Sequence, residues 1–149
     1  MTGNRITFPA FAALLLLCLP AVAGDMVEVR IETVLASNSP QEADRRLERI
    51  RAHLDRLFRY TSYRLVQGER RMTRWGSPTS FNLPGGRFLE VLPKSHANNR
   101  VSMHVIMIEG DKPIVNTELV LQNGGVFFVG GRTHDEGVLI TSIGVAADE

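Results

Sequence analysis

From residue 60 to near the C-terminus, the chain is a series of short runs of alternating apolar and polar residues. Each run is closed by glycine, asparagine or proline. This rhythm constrains the fold more than any other feature. Strand side chains point alternately to opposite faces, so a period of two broken by turn residues describes antiparallel strands, each with a dry and a wet face. Residues 63–75 (YRLVQGERRMTRW) are β-prone, with Gly68 placed as a bulge or turn. Residues 80–83 and 88–92 flank Pro84-Gly85-Gly86-Arg87, a hairpin signal. Residues 101–109 (VSMHVIMIE) put Val101, Met103, Val105 and Met107 on one face, and Gly110-Asp111-Lys112-Pro113 turns the chain into residues 114–122 (IVNTELVLQ). Asn123-Gly124 carries the signature of a type I′ hairpin, whose two central residues take positive φ. Residues 126–129 run back from it. Residues 138–145 form a last strand, and residues 146–149 are expected to fray.

Two elements precede this series. Residues 26–35 (MVEVRIETVL) alternate cleanly, with Val27, Val29, Ile31 and Thr33 on one face and Glu28, Arg30 and Glu32 on the other. Ser39, Pro40 and Glu42 then have the spacing of a capping box with proline at the first helical position. Ala43, Leu47, Ile50, Leu54, Leu57 and Phe58 recur at spacings of three and four, which predicts one amphipathic helix of about 18 residues, or about 27 Å. Glu48 with Arg51, and less favourably Asp44 with Arg45, are its expected surface ion pairs. The fold class that follows is α+β: one amphipathic helix packed on a curved, mainly antiparallel sheet, in the order strand, helix, then six strands. A cystatin-like topology has this order, and the comparison transfers no function.

Residues 1–23 read as a secretory leader. Arg5 supplies positive charge, residues 11–19 (FAALLLLCL) an apolar run, and Ala21-Val22-Ala23 a cleavage site; an uncleaved anchor is the alternative. The expected organisation is a leader at 1–23 and a single domain at 24–149, periplasmic or secreted, with no integral membrane span once the leader is cut. Cleavage removes Cys18, the chain's one cysteine, and with it any disulfide or thiolate chemistry. It also removes Arg5 from the 17 basic residues, leaving 16 against 16 acidic ones. Charge is unevenly placed, with ten arginines between Arg45 and Arg74. These arginines alternate with acids, which together with export argues against a nucleic-acid partner.

The chemistry-bearing residues do not form a known catalytic signature. His53, His96, His104 and His134 show no metal-binding spacing. A serine nucleophile has no G-x-S-x-G elbow. Neither dinucleotide nor P-loop glycine pattern is present, so the glycines of residues 121–140 (LQNGGVFFVGGRTHDEGVLI) read as β punctuation, and no cofactor or metal is expected. Phe58, Tyr60, Tyr63 and Trp75, with Arg59, Arg64 and Arg74, gather at the helix exit, either as core filling or as an interface.

Residues 117–131 (TELVLQNGGVFFVGG) resemble the stretch of bacterial secretins in which a threonine-led strand turns at an Asp/Asn-Gly pair and returns into Val-Gly-Gly. The resemblance implies an envelope-associated β-hairpin linked to secretion or pilus machinery. It departs from the family pattern at Arg132, and it transfers no pore function and no site residues. The leading expectation is a non-enzymatic interaction or assembly module whose partner is another envelope protein or a second copy. Its candidate surface is Arg45, Arg49 and Arg56 on the helix with Arg132, His134 and Asp135 on a loop. Two further readings compete. One is a small-ligand or lipid carrier lined by Met72, Met103 and Met107, held between helix and sheet. The other is a metal-assisted hydrolase using His134 and Asp135.

Overall fold

The computed structural model describes residues 25–148; the expected leader at 1–23 lies outside the described residues. The elements run β1 (Met26–Ser37), a single 3-10 turn (Arg45–Leu47), α1 (Glu48–Leu57), β2 (Ser62–Arg74), β3 (Thr79–Leu83), β4 (Arg87–Ala97), β5 (Arg100–Glu109), β6 (Lys112–Gln122), β7 (Val126–Val129), β8 (Thr133–His134) and β9 (Gly137–Ala147). Among the described residues the chain is therefore mostly antiparallel β with one short helix. The strands form two sheets. One has the order β2-β1-β9-β7, with β8 also on β9; the other has the order β3-β4-β5-β6.

The sheets pack face to face. One apolar cluster joins Val29, Ile31, Ile143 and Val145 of the first sheet to Phe81, Leu89, Val91, Val101, Met103, Val105 and Met107 of the second. The inward faces expected for β1 and β5 are the ones observed: Val27, Val29, Val101, Met103, Val105 and Met107 are fully buried. The single sheet curved across the helix is corrected. The dry faces of the strands are covered chiefly by one another, and the helix lies on the outside.

β1 explains where the helix sits. Its outer positions are Glu28, Arg30 and Glu32 in the first half, then the fully buried Val34 and Ala36. α1 covers that second half. Leu47, Ile50 and Leu54 pack on Val34, Ala36, Tyr63 and Ile140. Each such side chain contributes roughly 1.5–3 kcal/mol relative to leaving it in water.

The helix is shorter than expected, at ten residues after the 3-10 turn. Asp44, and not Ser39, is the cap. Asp44 Oδ1 accepts from Arg46 N at 3.1 Å, and its Oδ2 accepts from Leu65 N at 3.0 Å in β2. That second bond is the physical reason for the late start. Leu65 sits at the bulge where Val66 is the extra residue opposite Thr33 and Val34, and Asp44 satisfies its N–H. Ala43 and Leu57 accordingly lie outside the buried stripe. The ion pairs differ as well: Asp44 holds Arg46 and Asp55 holds Arg51. At the other end, the hydroxyl of buried Tyr63 lies 3.1 Å from both Phe58 O, beyond the helix end, and Leu54 O, which also accepts from Phe58 N at 2.9 Å.

Two turns differ from expectation. Asn123-Gly124 closes no hairpin, because β6 and β7 belong to different sheets. Gly124 alone takes positive φ there, at 80°. The turn is fastened to β9: Gly124 N donates to Val145 O at 2.9 Å, and the Asn123 amide pairs with Ala147 N and O at 2.8 and 2.7 Å. This pairing also holds residues 146 and 147 in β9. Positive φ at two successive residues occurs instead at Gly85-Gly86, at 83° and 73°, joining β3 to β4 where the hairpin was expected, and at Asn98-Asn99, at 51° and 58°, joining β4 to β5.

Candidate functional site

The outer face of the first sheet is covered by α1 over its apolar half and open over its charged half. Register sets the open half. Glu28, Arg30 and Glu32 of β1 stand between Met72, Arg70 and Gly68 of β2 and Ala146, Gly144 and Ser142 of β9. The first turn of α1 lowers Arg49 onto this edge, where its Nη2 meets Glu32 Oε2 at 2.9 Å. The Ser142 hydroxyl donates to the same carboxylate oxygen at 3.3 Å. Arg30 Nη2 meets Glu28 Oε1 at 2.9 Å, and Arg70 Nε lies 3.7 Å from that oxygen.

A groove of about 170 Å³ runs along these residues, lined by Glu28, Arg30 and Arg49 over Gly124, Gly125, Gly144 and Ala146. A second depression of about 200 Å³ adjoins it through Arg30 and continues to Arg70. Small residues make the space. A Cβ at Gly144 would stand 3.8 Å from Gly125 O and from Arg30 Cβ, and so would partly fill it. Glu28, Glu32 and Glu69 line the two depressions with Arg30, Arg49 and Arg70; Arg71 engages Glu69 at 2.7 Å, so the three guanidinium groups face two remaining carboxylates, with one positive charge in excess. Arg30 Nε is buried without a hydrogen-bond partner. The chemical capacity of the groove is to receive a carboxylate on a narrow group, such as an acidic side chain.

The six surface residues expected from sequence do not converge. Arg49 alone enters the groove. Arg45 is exposed beside a shallow depression of about 430 Å³ shared with Ala43, Asp44, Glu48 and Arg51, and Arg56 is exposed on the last turn of α1. Asp44 carries its own perturbation there: the hydrogen bonds from Arg46, larger than the opposing effect of burial, hold its carboxyl well below the usual range.

Residues 132–135 are built into the structure. Arg132 Nη1 is ion-paired with Glu109 Oε1, and buried Arg87 places Nε 3.4 Å from Glu109 Oε2, outside hydrogen-bond alignment. The trio pins the Gly130–Arg132 bulge to the second sheet. Asp135, at φ 49°, is the turn between β8 and β9, and His134 Nε2 lies 3.4 Å from its Oδ2. Among the described residues, no group of three or more His, Cys, Asp or Glu side chains is placed to hold a metal ion.

The proposed carrier lining separates too. Met103 and Met107 are fully buried between the sheets, whereas Met72 is 54% exposed on β2. Trp75 leaves the aromatic group at the helix exit and stacks on His96 at 5°. Sequence reasoning missed Glu28, Arg30, Glu32, Arg70 and Gly144 as a site. The wet face of β1 was visible, but nothing in the chain named the strands beside it.

No family model matches the sequence, and no curated protein matches it significantly. Among solved structures, it bears a weak likeness to the secretin InvG of the Salmonella SPI-1 type III secretion injectisome in its open-gate state, at 11% identity and a TM-score of 0.33. The match covers 81% of this chain and 54% of that one, so the chain spans about half the length of that secretin fragment. The stretch whose sequence resembles secretins, residues 117–131, crosses between sheets here and does not form a paired hairpin. No helix among the described residues is long and apolar enough to cross a membrane.

Proposed function

We propose that the chain is an exported, non-enzymatic protein-interaction module of the bacterial cell envelope, periplasmic or secreted, which docks an acidic segment of another envelope protein. The observation that carries this reading is the glycine-floored groove with the depression beside it, where Arg30, Arg49 and Arg70 outnumber Glu28 and Glu32 once Glu69 is taken by Arg71. Its small volume suits a protruding side chain better than an enclosed small ligand, whose pockets run to roughly 300–1,000 Å³. Support for a secretion or pilus assembly as the setting is confined to the resemblance of residues 117–131.

The test is cross-linking in envelope extract with the purified chain as bait. The partner recovered by the wild type is lost with Arg49→Glu and Arg70→Glu, is kept with Arg59→Glu, and is released by salt as exposed charge pairs are screened. No reproducible partner, or equal capture by all three variants, removes the reading.

A further inference from the structure

The edges of the two sheets are not alike. β2 spans 13 residues but carries Arg64, Glu69, Arg70, Arg71 and Arg74 and a bulge at Val66, all features that discourage strand addition. β7 and β8 are four and two residues long, separated by Gly130-Gly131-Arg132. β3 has five residues, and its edge carbonyls are already used: Ser80 O accepts from Arg71 Nη1 at 2.6 Å and Asn82 O from Gln67 Nε2 at 2.8 Å. β6 differs. It spans 11 residues, and its defences, Pro113 and a bulge at Ile114, lie at one end. From Val115 to Leu121 its one charge is Glu118, which Lys94 Nζ meets at 2.5 Å.

The direction of the β6 backbone groups follows from one bond. Asn123 N donates to Asn99 O at 2.9 Å, in register with the β5–β6 ladder. Strand N–H and C=O groups alternate sides from residue to residue. Odd-numbered residues therefore face β5, and Asn116, Glu118 and Val120 present theirs to the open edge. The sequence of that edge is a palindrome in polarity. Ile114-Val115-Asn116-Thr117-Glu118-Leu119-Val120 reads apolar, apolar, polar, Thr, polar, apolar, apolar in both directions.

We propose that a second copy of this chain docks on β6, antiparallel and two-fold symmetric about Thr117, joining two four-stranded sheets into one of eight strands. A two-fold interface presents the same patch on both partners, and a palindrome is the sequence form of that requirement. In this register Thr117 faces its own mate. Asn116 lies opposite Glu118, and their backbone groups exchange hydrogen bonds. The half-buried Val115 lies opposite Leu119 on the inner face, and Ile114, 46% exposed, lies opposite Val120, 61% exposed, on the outer face. No like charges are placed directly opposite one another, and Lys94 compensates Glu118 in each copy. The site is separate from the arginine groove, so either can fail without the other.

The test is sedimentation of the purified chain across concentration, with cysteine cross-linking. Val120→Lys weakens dimerisation at least about tenfold, and Ile114→Glu added to it restores association, because each new lysine then faces a new glutamate on the other copy. In a Cys18→Ser background, Thr117→Cys oxidises to a covalent dimer, since directly opposite residues of a non-hydrogen-bonded pair lie about 4.5 Å apart at Cα, within disulfide reach. Val120→Cys, whose mate position is Ile114, does not. Circular dichroism confirms that each variant is folded. A wild type that stays monomeric, no rescue by the double variant, or equal cross-linking of the two cysteine variants overturns the proposal.

Discussion

The chain crosses between the two sheets at both sides of the sandwich, from β2 to β3 and from β6 to β7, and the two sides close differently. On the β2–β3 side, the residues of β2 facing inward are Gln67, Glu69, Arg71 and Thr73, set by pairing with Thr33, Ile31, Val29 and Val27. They cover the core with polar arms. Arg71 lies over the ring of buried Phe81 at 4.9 Å and bonds Ser80 O, and Gln67 bonds Asn82 O. On the β6–β7 side, Val115, Leu119, Leu121, Phe127 and Val129 are half-buried against the same core. A side closed by long polar side chains excludes both water and further strands. A side closed by short apolar ones keeps surface that association can still bury.

The sharpest way to break this contrast is to weaken each side in turn. Phe81→Ala on the closed side removes a ring that is 1% exposed and costs about 3–5 kcal/mol in urea denaturation. Leu119→Ala on the open side, measured with Val120→Lys present to hold the chain monomeric, costs less than half of that. Equal losses would mean that the β6 side is as closed as the other.

The next largest effect concerns Asp44, which fastens the helix start to the β2 bulge. Asp44→Ala removes a helix cap and strands the Leu65 N–H, costing about 2 kcal/mol. Because the folded-state pKa of Asp44 is depressed below its unfolded value near 3.9, its contribution is complete above that pH and is lost as pH falls toward the folded value. Asp44→Asn therefore flattens the acid limb of the stability profile.

Arg71→Met, about 1 kcal/mol, releases the Ser80 carbonyl and the cover on Phe81, and concentration-dependent light scattering should rise as the β3 edge is freed. Val120→Lys sits at the bottom of the series. On an exposed position it changes the stability of the monomer by no more than about 0.5 kcal/mol while weakening assembly at least about tenfold, a separation that thermal melts and sedimentation read together.

Much of the strand content was legible because period-two patterning is local. The inward faces of β1 and β5 follow from alternation alone, as does the existence of an apolar helical stripe through Leu47, Ile50 and Leu54. The misread positions share a cause. Ser39-Pro40-Glu42 satisfies a local capping rule, but Asp44 has a second customer in Leu65, 21 residues away, and that bond decides where the helix begins. Asn123-Gly124 satisfies a local turn rule, yet its amide is taken by Ala147. The groove was illegible for the same reason. Arg30, Arg49, Arg70 and Gly144 are distant in sequence, and only register brings them together.

What the sequence determined by itself is the alternation of each strand, the apolar stripe of the helix and the polarity palindrome of residues 114–120, because side-chain direction has a fixed period along a strand or helix. Tertiary structure decided that the strands divide into two sheets, that the helix rides outside one of them, and which edges stay open. Those outcomes depend on which apolar faces find each other across the chain, and a face can be read locally while its partner cannot.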